Sequence, residues 1–313
     1  MNKCLYCYQP LPNGQEDYHP KCAKAFFGVN TPPKLPYRME EMERLASEAI
    51  LRSVSVPGVQ PKLSLGWVKK ALNDGQTNRL TILDALDGQY ILKPQNPKYS
   101  QMPENEHLSM KLAELFKIEV VPYNMIRLAS GELAYITRRI DRTKDGAKIH
   151  MIDFLQILEL EDKYKGTMEQ LGKQIGELSA NTLLDKMRFF ELTVFNFLIG
   201  NNDMHLKNFS LWKTDMGWVL TPAYDLLNVK IILPTDYDDM ALLFGGKKFN
   251  FNKLYFDRFA TVLQLNEKQL NTVYKRIQKW LPNAIELINA SFLSTENKEK
   301  YSTLITERVK TFE

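Results

Sequence analysis

The strand-like and helix-like segments of this sequence are separated along the chain, and this separation is the strongest constraint on its fold. Short apolar runs bounded by turn residues fall before residue 140, whereas helical periodicity dominates from Asp153 onward. In the second half, Ser210–Thr221 is typical of a strand hairpin with a turn at Asp215–Gly217. We therefore predict an α+β fold of two lobes, the first rich in strands and the second mostly helical, with a cleft between them.

The first lobe is predicted to contain an antiparallel sheet and two helices. A helix at 39–51 precedes the strands, and a second helix opens at Pro103–Glu106, where proline and acidic residues are favoured. The first three strands predict a meander that ends at Lys93. The predicted strands are Leu63–Val68, Arg79–Leu83, Gln89–Lys93, Val120–Leu128 and Glu132–Ile140.

The chain is predicted to divide into three parts. Residues 1–38 form a cysteine-containing segment that a stiff, proline-rich linker closes at Thr31–Pro36. Residues 39–140 form the strand-rich lobe, and residues 141–313 form the helical lobe. The predicted helices of the helical lobe are 152–160, 167–180, 182–199, 252–264, 266–280 and 281–292.

The composition is that of a globular protein, with 44% hydrophobic and 25% charged residues. The net charge of +4 comes without basic blocks or interleaved aromatic residues, so direct binding to nucleic acid is not indicated. No run approaches the ~18 apolar residues of a membrane helix, and Met1–Cys4 is not followed by the apolar core of a signal peptide. We expect a cytoplasmic protein that does not bind membranes.

All three cysteines lie within the first 22 residues, as Cys4-x2-Cys7 followed by Cys22 in the pair His19-x2-Cys22. An odd number of cysteines in such a chain argues against a disulfide framework. The two pairs supply four ligands of the kind that hold structural zinc, and four protein ligands leave no open position for chemistry. Reduced cysteines that only pack together are the alternative, because the second pair is shorter than the histidine spacing of ordinary zinc fingers.

The polar stretch after the apolar run 189–198 carries a motif for phosphoryl transfer. Asp203 is followed five positions later by Asn208, the spacing of the kinase catalytic loop, in which the aspartate accepts the proton of the attacking hydroxyl and the asparagine ligates a metal ion. Asp225 follows as a second candidate metal ligand. Lys93, at the end of an apolar strand, is placed like the lysine that contacts nucleotide phosphates. A helix-capping loop and a surface lysine are the plainer alternatives for these residues taken singly.

Several neighbouring residues could complete such a site. The turn before the first strand contains Gly58, Gln60 and Lys62, whose backbone N–H groups are candidates for covering nucleotide phosphates. His205 is either a second base or a structural histidine hydrogen-bonded to the loop backbone. Lys207 is suitably placed to meet the γ-phosphate.

Two acidic residues of the predicted helix after Lys93 have two explanations. Glu104 and Glu106 either form an ion pair with the lysine or occupy the helix start, where acidic residues are favoured.

Five segments together resemble the HipA family of bacterial serine/threonine kinases, the toxin components of toxin-antitoxin modules. The resemblance runs from about residue 40 to the C-terminus. The segments are Ser55–Leu65, Ile91–Pro94, Thr137–Arg142, Gly200–Asn208 and Pro222–Leu226.

The resemblance implies an ATP-dependent protein serine/threonine kinase that uses Mg²⁺. Asp203 would be the catalytic base, and Asn208 and Asp225 the magnesium ligands. Autophosphorylation of Ser55, or of the nearby Ser53, would eject the loop and switch the kinase off, since phosphoserine cannot share the loop with ATP phosphates. The alternative is that both serines serve only the turn backbone. The residues assigned to ATP binding are Gly58, Gln60, Lys62, Lys93, Arg138 and Ile140 of the hinge, His205 and Lys207.

Full-length members of this family begin with an additional small domain, whereas only some 38 residues precede the kinase-like region in this sequence. This short form resembles the HipT type from split systems. In that type a separate small protein, similar to the HipA N-terminal domain, supplies the missing domain, and a helix-turn-helix antitoxin completes the set. The resemblance implies a protein substrate such as an aminoacyl-tRNA synthetase, with DNA reached only through the antitoxin. The alternatives are a small-molecule kinase of the aminoglycoside or lipid-kinase type and a non-catalytic nucleotide-binding module.

Overall fold

The computed structural model describes residues 2–42, 44–45, 62–68, 79–83, 88–143 and 145–313. The chain forms two compact units. The first contains Met1–His107, Val121–Lys148 and Ala290–Phe292. The second contains Leu108–Val120, Ile149–Asn289 and Leu293–Glu313. The functional boundaries predicted at residues 38 and 140 stay predictions.

The first unit is built on a five-stranded antiparallel sheet with the order β2-β1-β3-β5-β4. All five predicted strands are confirmed, with ends shifted by a few residues. The strands are β1 (Leu63–Val68), β2 (Arg79–Leu83), β3 (Tyr90–Lys93), β4 (Tyr123–Arg127) and β5 (Leu133–Arg138).

The predicted meander is wrong, because β3 pairs with β1 and not with β2. The chain enters β3 through Gly88, where an added Cβ would lie 2.0 Å from the Ser64 Oγ of β1. The outer edge of β2 is paired with the N-terminal segment, since the Leu80 N–H donates to the Lys34 carbonyl at 2.9 Å. Strand β1 pairs with β2 along one edge and with β3 along the other, and its Leu65 is fully buried. The order of strands along a sequence does not reveal that β3 pairs with β1 and not with β2.

Two helices of the first half of the chain have defined bounds. Helix α1 is Pro20–Phe27, with proline in its first turn and Gly28 in the left-handed conformation at its end. Helix α2 is Met102–Leu115 and carries Glu104 in its first turn, as predicted. Of the helix predicted at 39–51, residues 39–42, 44 and 45 are helical, and the remainder lies outside the described residues.

The second unit contains a small antiparallel sheet and most of the helices. The predicted hairpin is confirmed as β7 (Ser210–Thr214) and β8 (Gly217–Leu220), and β7 also pairs with a short strand, β6 (Met151–Asp153), which was not predicted. The helices are α3 (Phe154–Ile157), α4 (Met168–Leu178), α5 (Thr182–Ile199), α6 (Lys253–Val262), α7 (Glu267–Ala290) and α8 (Thr295–Val309).

The helices predicted at 266–280 and 281–292 form one helix, α7, which continues through Pro282. An internal proline costs about 3 kcal/mol because it removes a backbone hydrogen bond and crowds the preceding turn. Burial on one face of α7 offsets this cost, since Ile277 and Trp280 before the proline and Ala284 and Ile288 after it are all buried. Helix α8, which was not predicted, follows α7 after a short connection.

The core of the second unit is centred on α5, whose residues 189–199 are all buried. Aromatic rings from other parts of the unit pack against it, including Phe209 against Phe189 at 5.4 Å between ring centroids and Phe256 against Phe197 at 5.2 Å. Because α5 is buried in this way, it forms a rigid support for the loop that follows its C-terminus. Within the described parts of the chain, every helix is too short or too polar to cross a lipid bilayer.

Candidate active site

The loop that carries Asp203 begins where α5 ends, and Gly200 determines the turn. Gly200 has a φ of 74°, a left-handed conformation that favours glycine, and its N–H bonds back to the Asn196 and Phe197 carbonyls. An added Cβ would lie 2.5 Å from the Leu304 side chain and 3.0 Å from the Asn228 Oδ1. The glycine is therefore required both by backbone conformation and by packing.

Two buried asparagines tie this loop to the rest of the second unit. The Asn201 Nδ2 donates to the Asn196 Oδ1 of α5 at 2.9 Å. The Asn202 Nδ2 donates to the Asp236 carboxylate at 2.8 Å and to the Asp238 carbonyl at 2.9 Å. These bonds explain why so many polar residues follow an apolar helix: they hold the loop on a buried scaffold.

Asp203 is exposed at the surface of the second unit, between neighbours that are buried. Its Oδ1 accepts a hydrogen bond from the Tyr164 hydroxyl at 2.8 Å. Burial, followed by the hydrogen bond and charge of Asp203, raises the pKa of the Tyr164 phenol, so the phenol stays protonated and donates. An exposed carboxylate that accepts a hydrogen bond from one hydroxyl group can accept one from another, and the role of Asp203 as the catalytic base stays a prediction.

His205 is a buried part of the same loop. Its Nε2 lies 2.8 Å from the Lys163 Nζ. Since an ammonium group only donates, the imidazole accepts there. The Tyr164 ring packs edge-on against the imidazole, with ring centroids 5.3 Å apart. The structure thus gives His205 a side-chain partner where the sequence suggested a backbone partner or a catalytic role, and a role in ATP binding stays a prediction.

Asn208 and Asp225, the two predicted magnesium ligands, are in contact within the second unit, and their role as ligands stays a prediction. The Asn208 Nδ2 donates to the Asp225 Oδ2 at 2.9 Å. This bond uses the amide nitrogen, and the Asn208 Oδ1 accepts from the His205 N–H at 3.3 Å, so a second lone pair of that oxygen is what Asn208 can offer to a metal ion. A carboxylate and a carboxamide oxygen form the hard donor set that Mg²⁺ prefers, so these two residues fit the ion. Asp225 has a φ of 61°, in the left-handed region that, apart from glycine, mainly asparagine and aspartate adopt.

Lys207 belongs to the short 3₁₀ helix Leu206–Asn208 and is half-buried. Its carbonyl accepts a hydrogen bond from the Tyr224 hydroxyl at 3.1 Å, and the same hydroxyl lies 2.6 Å from the Ser210 Oγ of β7. Burial raises the pKa of Tyr224, which keeps the hydroxyl available as a donor. The proposed contact of Lys207 with a γ-phosphate stays a prediction.

Lys93 of β3 forms a buried ion pair with Glu106 of α2, in the first unit. The Lys93 Nζ lies 2.6 Å from the Glu106 Oε1, and the two side chains are only 5% and 3% exposed. The ammonium group also lies 5.4 Å from the centre of the Tyr135 ring. The ion-pair explanation for Glu106 is therefore correct, and Lys93 is not a surface lysine.

Glu104, the other acid of the α2 start, has a different partner. Its carboxylate accepts two hydrogen bonds from the Gln95 Nε2, at 2.9 and 3.0 Å. Burial raises the pKa of Glu104 above its ordinary value. Of the two acids that the sequence left open, only Glu106 pairs with Lys93.

The segment assigned to the hinge lies at the end of β5. The Arg138 guanidinium donates to the Phe26 carbonyl and lies over the Phe26 ring, so its side chain is engaged within the first unit. Its backbone N–H donates to the Pro122 carbonyl at 2.9 Å. Ile140 follows as a half-buried residue in a bend. The assignment of Arg138 and Ile140 to ATP binding stays a prediction.

The predicted phosphate loop is described only at its end. Lys62 is exposed just before β1. Ser53, Ser55, Gly58 and Gln60 lie outside the described residues.

Three charged residues next to the hinge form a cluster that sequence reasoning did not identify. The Asp141 carboxylate accepts from the Arg139 Nε at 2.9 Å and Nη2 at 2.7 Å, and from the Arg142 Nη1 at 2.6 Å. Burial disfavours the charged carboxylate, but the hydrogen bond and charge of Arg139 and the charge of Arg142 hold the pKa of Asp141 below its ordinary value. In the sequence, the available signal for this cluster was that Arg142 and Arg139 lie one and two positions from Asp141.

Lys163 and Tyr164 were also missed. They lie about 40 positions before Asp203 in sequence, in a loop with no motif that would connect them to it. Only the fold brings them to the Asp203 loop, where the Leu206 N–H also donates to the Lys163 carbonyl at 3.1 Å.

The fold defined by these units is that of kinases. The chain is similar to HipA of Shewanella oneidensis, in a structure of HipA with HipB and operator DNA, with a TM-score of 0.64 at 20% identity over 85% of this chain and 70% of the other. It is also similar to the Helicobacter pylori proinflammatory kinase CtkA, with a TM-score of 0.53 at 16% identity over 80% of this chain and 95% of the other. The predicted α+β, kinase-like fold is confirmed.

The sequence comparison defines the family. Residues 54–285 match the HipA-like C-terminal domain, and the chain belongs to this family. It is 28% identical over 258 residues to the serine/threonine-protein kinase toxin HipA of Shewanella oneidensis. That alignment covers 74% of this chain but 56% of the relative, and an alignment at 36% identity with a Sinorhizobium fredii relative covers 44% of that protein. The chain thus spans about half the length of these two relatives.

Proposed function

We propose that this chain is an ATP-dependent protein serine/threonine kinase of the HipA type. The observation that carries the proposal is the loop at the end of α5, which presents an exposed Asp203 from a buried scaffold and places Asn208 in contact with Asp225. In the order of the kinase template these residues are the base and the two metal ligands. The family membership of the chain supports the same conclusion.

The proposed roles follow from the chemistry of each side chain. Asp203 orients the substrate hydroxyl and accepts its proton as the phosphoryl group transfers. The Tyr164 hydroxyl already donates to Asp203 at 2.8 Å, so an incoming substrate hydroxyl takes over this hydrogen bond. Lys93 holds phosphate oxygens with its ammonium group, while Glu106 fixes the position of that group. Lys93 belongs to the first unit and Asp203 to the second.

Asn208 and Asp225 are the residues that would hold magnesium. When bound, Mg-ATP supplies the transferable phosphoryl group and the positive charge that neutralises it. The contribution of this chain is a pair of oxygen ligands whose relative position the Asn208–Asp225 hydrogen bond defines before any ion binds. The predicted residues Gly58, Gln60 and Lys62 would cover the phosphates from the loop before β1.

The proposal extends to regulation and partners. Ser55, or Ser53, is the proposed site of autophosphorylation, because a phosphate of nearly two negative charges on this loop would exclude ATP phosphates. A protein substrate from the translation apparatus, such as an aminoacyl-tRNA synthetase, is proposed from the family resemblance. The Shewanella HipA structure contains HipB and operator DNA, which supports a proposed DNA-binding antitoxin as a partner of this chain.

Incubation of the purified chain with radiolabelled ATP and magnesium tests the enzyme class. We expect label on the protein itself, located at Ser55 or Ser53 by mass spectrometry, and loss of most label in the variant Ser55→Ala combined with Ser53→Ala. Ser302, a half-buried serine of α8, provides the control, and Ser302→Ala should keep the label.

The same assay distinguishes a protein kinase from a small-molecule kinase. Addition of aminoglycosides or lipid headgroup alcohols should give no labelled small molecule. Label on a small molecule, with none on any serine of the protein, would replace the protein-kinase proposal with a small-molecule kinase. Absence of label everywhere, with intact folding, would favour a non-catalytic nucleotide-binding module.

A further inference from the structure

Three thiols and one imidazole of the N-terminal segment meet in one cluster. The ligand atoms of Cys4, Cys7, His19 and Cys22 all lie within 4.8 Å of one another. The His19 Nδ1 is 3.5 Å from the Cys7 Sγ and 3.8 Å from the Cys22 Sγ. Around a tetrahedral zinc ion, neighbouring sulfur and nitrogen ligands lie about 3.6 Å apart and neighbouring sulfurs about 3.8 Å apart. The cluster is therefore close to the dimensions of a zinc site.

The orientation of His19 is that of a metal ligand. Its Nε2 lies 3.0 Å from the Pro10 carbonyl oxygen. A carbonyl oxygen only accepts, so Nε2 carries the proton and Nδ1 directs its lone pair toward the two thiols. Histidines that bind metals are held in this way, with the second ring nitrogen donating to a carbonyl or carboxylate that fixes the tautomer. The contact with Pro10 thus prepares Nδ1 for coordination.

Both ligand pairs lie on turns that backbone hydrogen bonds close. The Tyr8 N–H donates to the Cys4 carbonyl at 2.9 Å, with Tyr8 at a φ of 66°, and the Cys4 N–H donates to the Gln9 carbonyl at 2.9 Å. In the second pair, the Cys22 N–H donates to the carbonyl of His19, the residue that precedes α1, at 2.9 Å. Each turn presents two ligands to the same point, which is how structural zinc is held by short ligand spacings.

We propose that Cys4, Cys7, His19 and Cys22 bind one zinc ion as a closed structural site, and that this ion positions Tyr8 against α2 beside Glu106. Four protein ligands complete a tetrahedron, so the site has a structural role and no position for substrate. The inference goes beyond the proposed kinase function, because the zinc site can exist whether or not the chain transfers phosphate.

The link from the zinc site to α2 is a direct contact within the first unit. Tyr8 follows Cys7 in the chain, and its hydroxyl lies 2.7 Å from the Nδ1 of His107. Their rings are 5.3 Å apart, and both residues are buried. His107 is the neighbour of Glu106, the partner of Lys93. The turn that zinc would fix therefore contacts the helix segment that carries the buried ion pair.

Other contacts attach the same segment to the strands. The Tyr18 hydroxyl donates to the Met125 carbonyl of β4, and the Asp17 carboxylate lies 2.8 Å from the Arg127 Nη2 at the end of that strand. Because residues 17 and 18 lie directly before His19, a metal-free segment would lose the restraint on these contacts as well.

Metal analysis of the full chain tests the site. We expect about one zinc per chain after purification, as measured by inductively coupled plasma mass spectrometry, and loss of nearly all of it in Cys7→Ser and in His19→Ala. His150→Ala is the matched control, since His150 is exposed and distant in sequence from the cluster, and it should keep the metal. Titration of the metal-stripped wild type with Co²⁺ should give thiolate-to-metal charge-transfer absorption. Wild type that holds no zinc and gives no such absorption would overturn the proposal.

A second measurement tests the positioning role and also covers variants that fail to fold. The ring signals of His107, observed by NMR in the wild type, should shift when a chelator removes zinc. They should shift in a similar way in Tyr8→Phe, which keeps zinc but lacks the hydroxyl group. If chelation removes the ion and the His107 signals stay unchanged, the ion does not position Tyr8, and that part of the proposal is wrong.

Discussion

The Lys93 pair of the first unit and the Asp203 loop of the second place their charges in opposite environments. Lys93 is 4% exposed and its ammonium is neutralised by an equally buried Glu106. Asp203 is exposed, and it accepts a hydrogen bond from the Tyr164 phenol, which is itself 41% exposed. The charge of Lys93 is buried and paired, whereas the charge of Asp203 is exposed on a rigid loop.

The difference teaches how stability and reactivity are separated in this chain. Removal of one member of a buried pair leaves an uncompensated charge, so Lys93 and Glu106 affect folding as much as activity. An exposed carboxylate on a rigid loop contributes little to stability and is available for proton transfer. Substitutions in the two regions should therefore separate catalytic from structural effects.

The largest expected effect on activity is at Asp203. Asp203→Asn should reduce phosphoryl transfer by about 10²–10⁴-fold, because it removes the base while it keeps the shape of the side chain. The thermal midpoint should hardly change, since the side chain is exposed. Transfer rates and calorimetry on the same preparation check both statements. Asp215→Asn, in the exposed β7–β8 turn, should change neither quantity.

The Lys93–Glu106 pair should show the reverse behaviour. Lys93→Met and Glu106→Gln should each reduce the free energy of unfolding by about 3–5 kcal/mol, because a buried charge loses its partner. The double variant Lys93→Met with Glu106→Leu should recover much of this loss but none of the activity. Chemical denaturation measures the first effect and phosphoryl transfer the second.

An exposed pair provides the control for this experiment. Lys173 and Glu177 of α4 lie 3.8 Å apart at exposed positions, and their removal should cost less than about 0.5 kcal/mol. If the buried and the exposed pair gave equal losses, or if the double variant remained active, the contrast between the two regions would be wrong.

A smaller effect is expected for the phenol at Asp203. Tyr164→Phe removes the hydroxyl that a substrate hydroxyl must replace, so kcat/KM should rise by about three- to tenfold, corresponding to about 1 kcal/mol. Steady-state kinetics with a fixed protein or peptide substrate measures this change. A fall of similar size would show instead that the phenol helps to position Asp203 for catalysis.

The smallest expected effect is a pH dependence of stability at Asp141. The pKa of Asp141 is below its ordinary value of 3.8 in the folded chain, so the carboxylate stabilises the fold above that pH and loses this contribution as pH falls through the folded value. At pH 7 the free energy of unfolding of the wild type should exceed that of Asp141→Asn by about 1 kcal/mol or less. This difference in stability should shrink below about pH 4. Thermal unfolding from pH 3 to pH 7 checks the sign.

Local patterns predicted much of the fold, because they depend on residues close in sequence. The strands and the β7–β8 hairpin follow from alternation and turn residues, and α5 follows from its apolar run. Pairing partners depend on distant residues, so the place of β3 beside β1 was not predictable. The continuity of α7 through Pro282 was also missed, because packing overrides the local preference of proline.

The candidate site likewise contains residues that the sequence indicated and residues that only the structure identified. The order of parts in the kinase template selected Asn208 and Asp225 from the sequence, and their side chains are in contact in the structure, while their role as metal ligands stays a prediction. The choice between Glu104 and Glu106 needed coordinates, since one helical turn supplies both acids and only one reaches Lys93. Tyr164 had no local signal at all, because a loop residue becomes part of a site only through tertiary contacts.

The backbone at Asp225 has a consequence for how mutations there are interpreted. At a φ of 61°, alanine or a β-branched residue adds a conformational penalty of about 1 kcal/mol or more to any loss of metal binding. Asparagine tolerates this conformation and removes only the negative charge. In a saturation library fused to a reporter of protein abundance, asparagine and glycine should therefore rank above alanine, and valine and isoleucine last, even among variants that are all catalytically inactive.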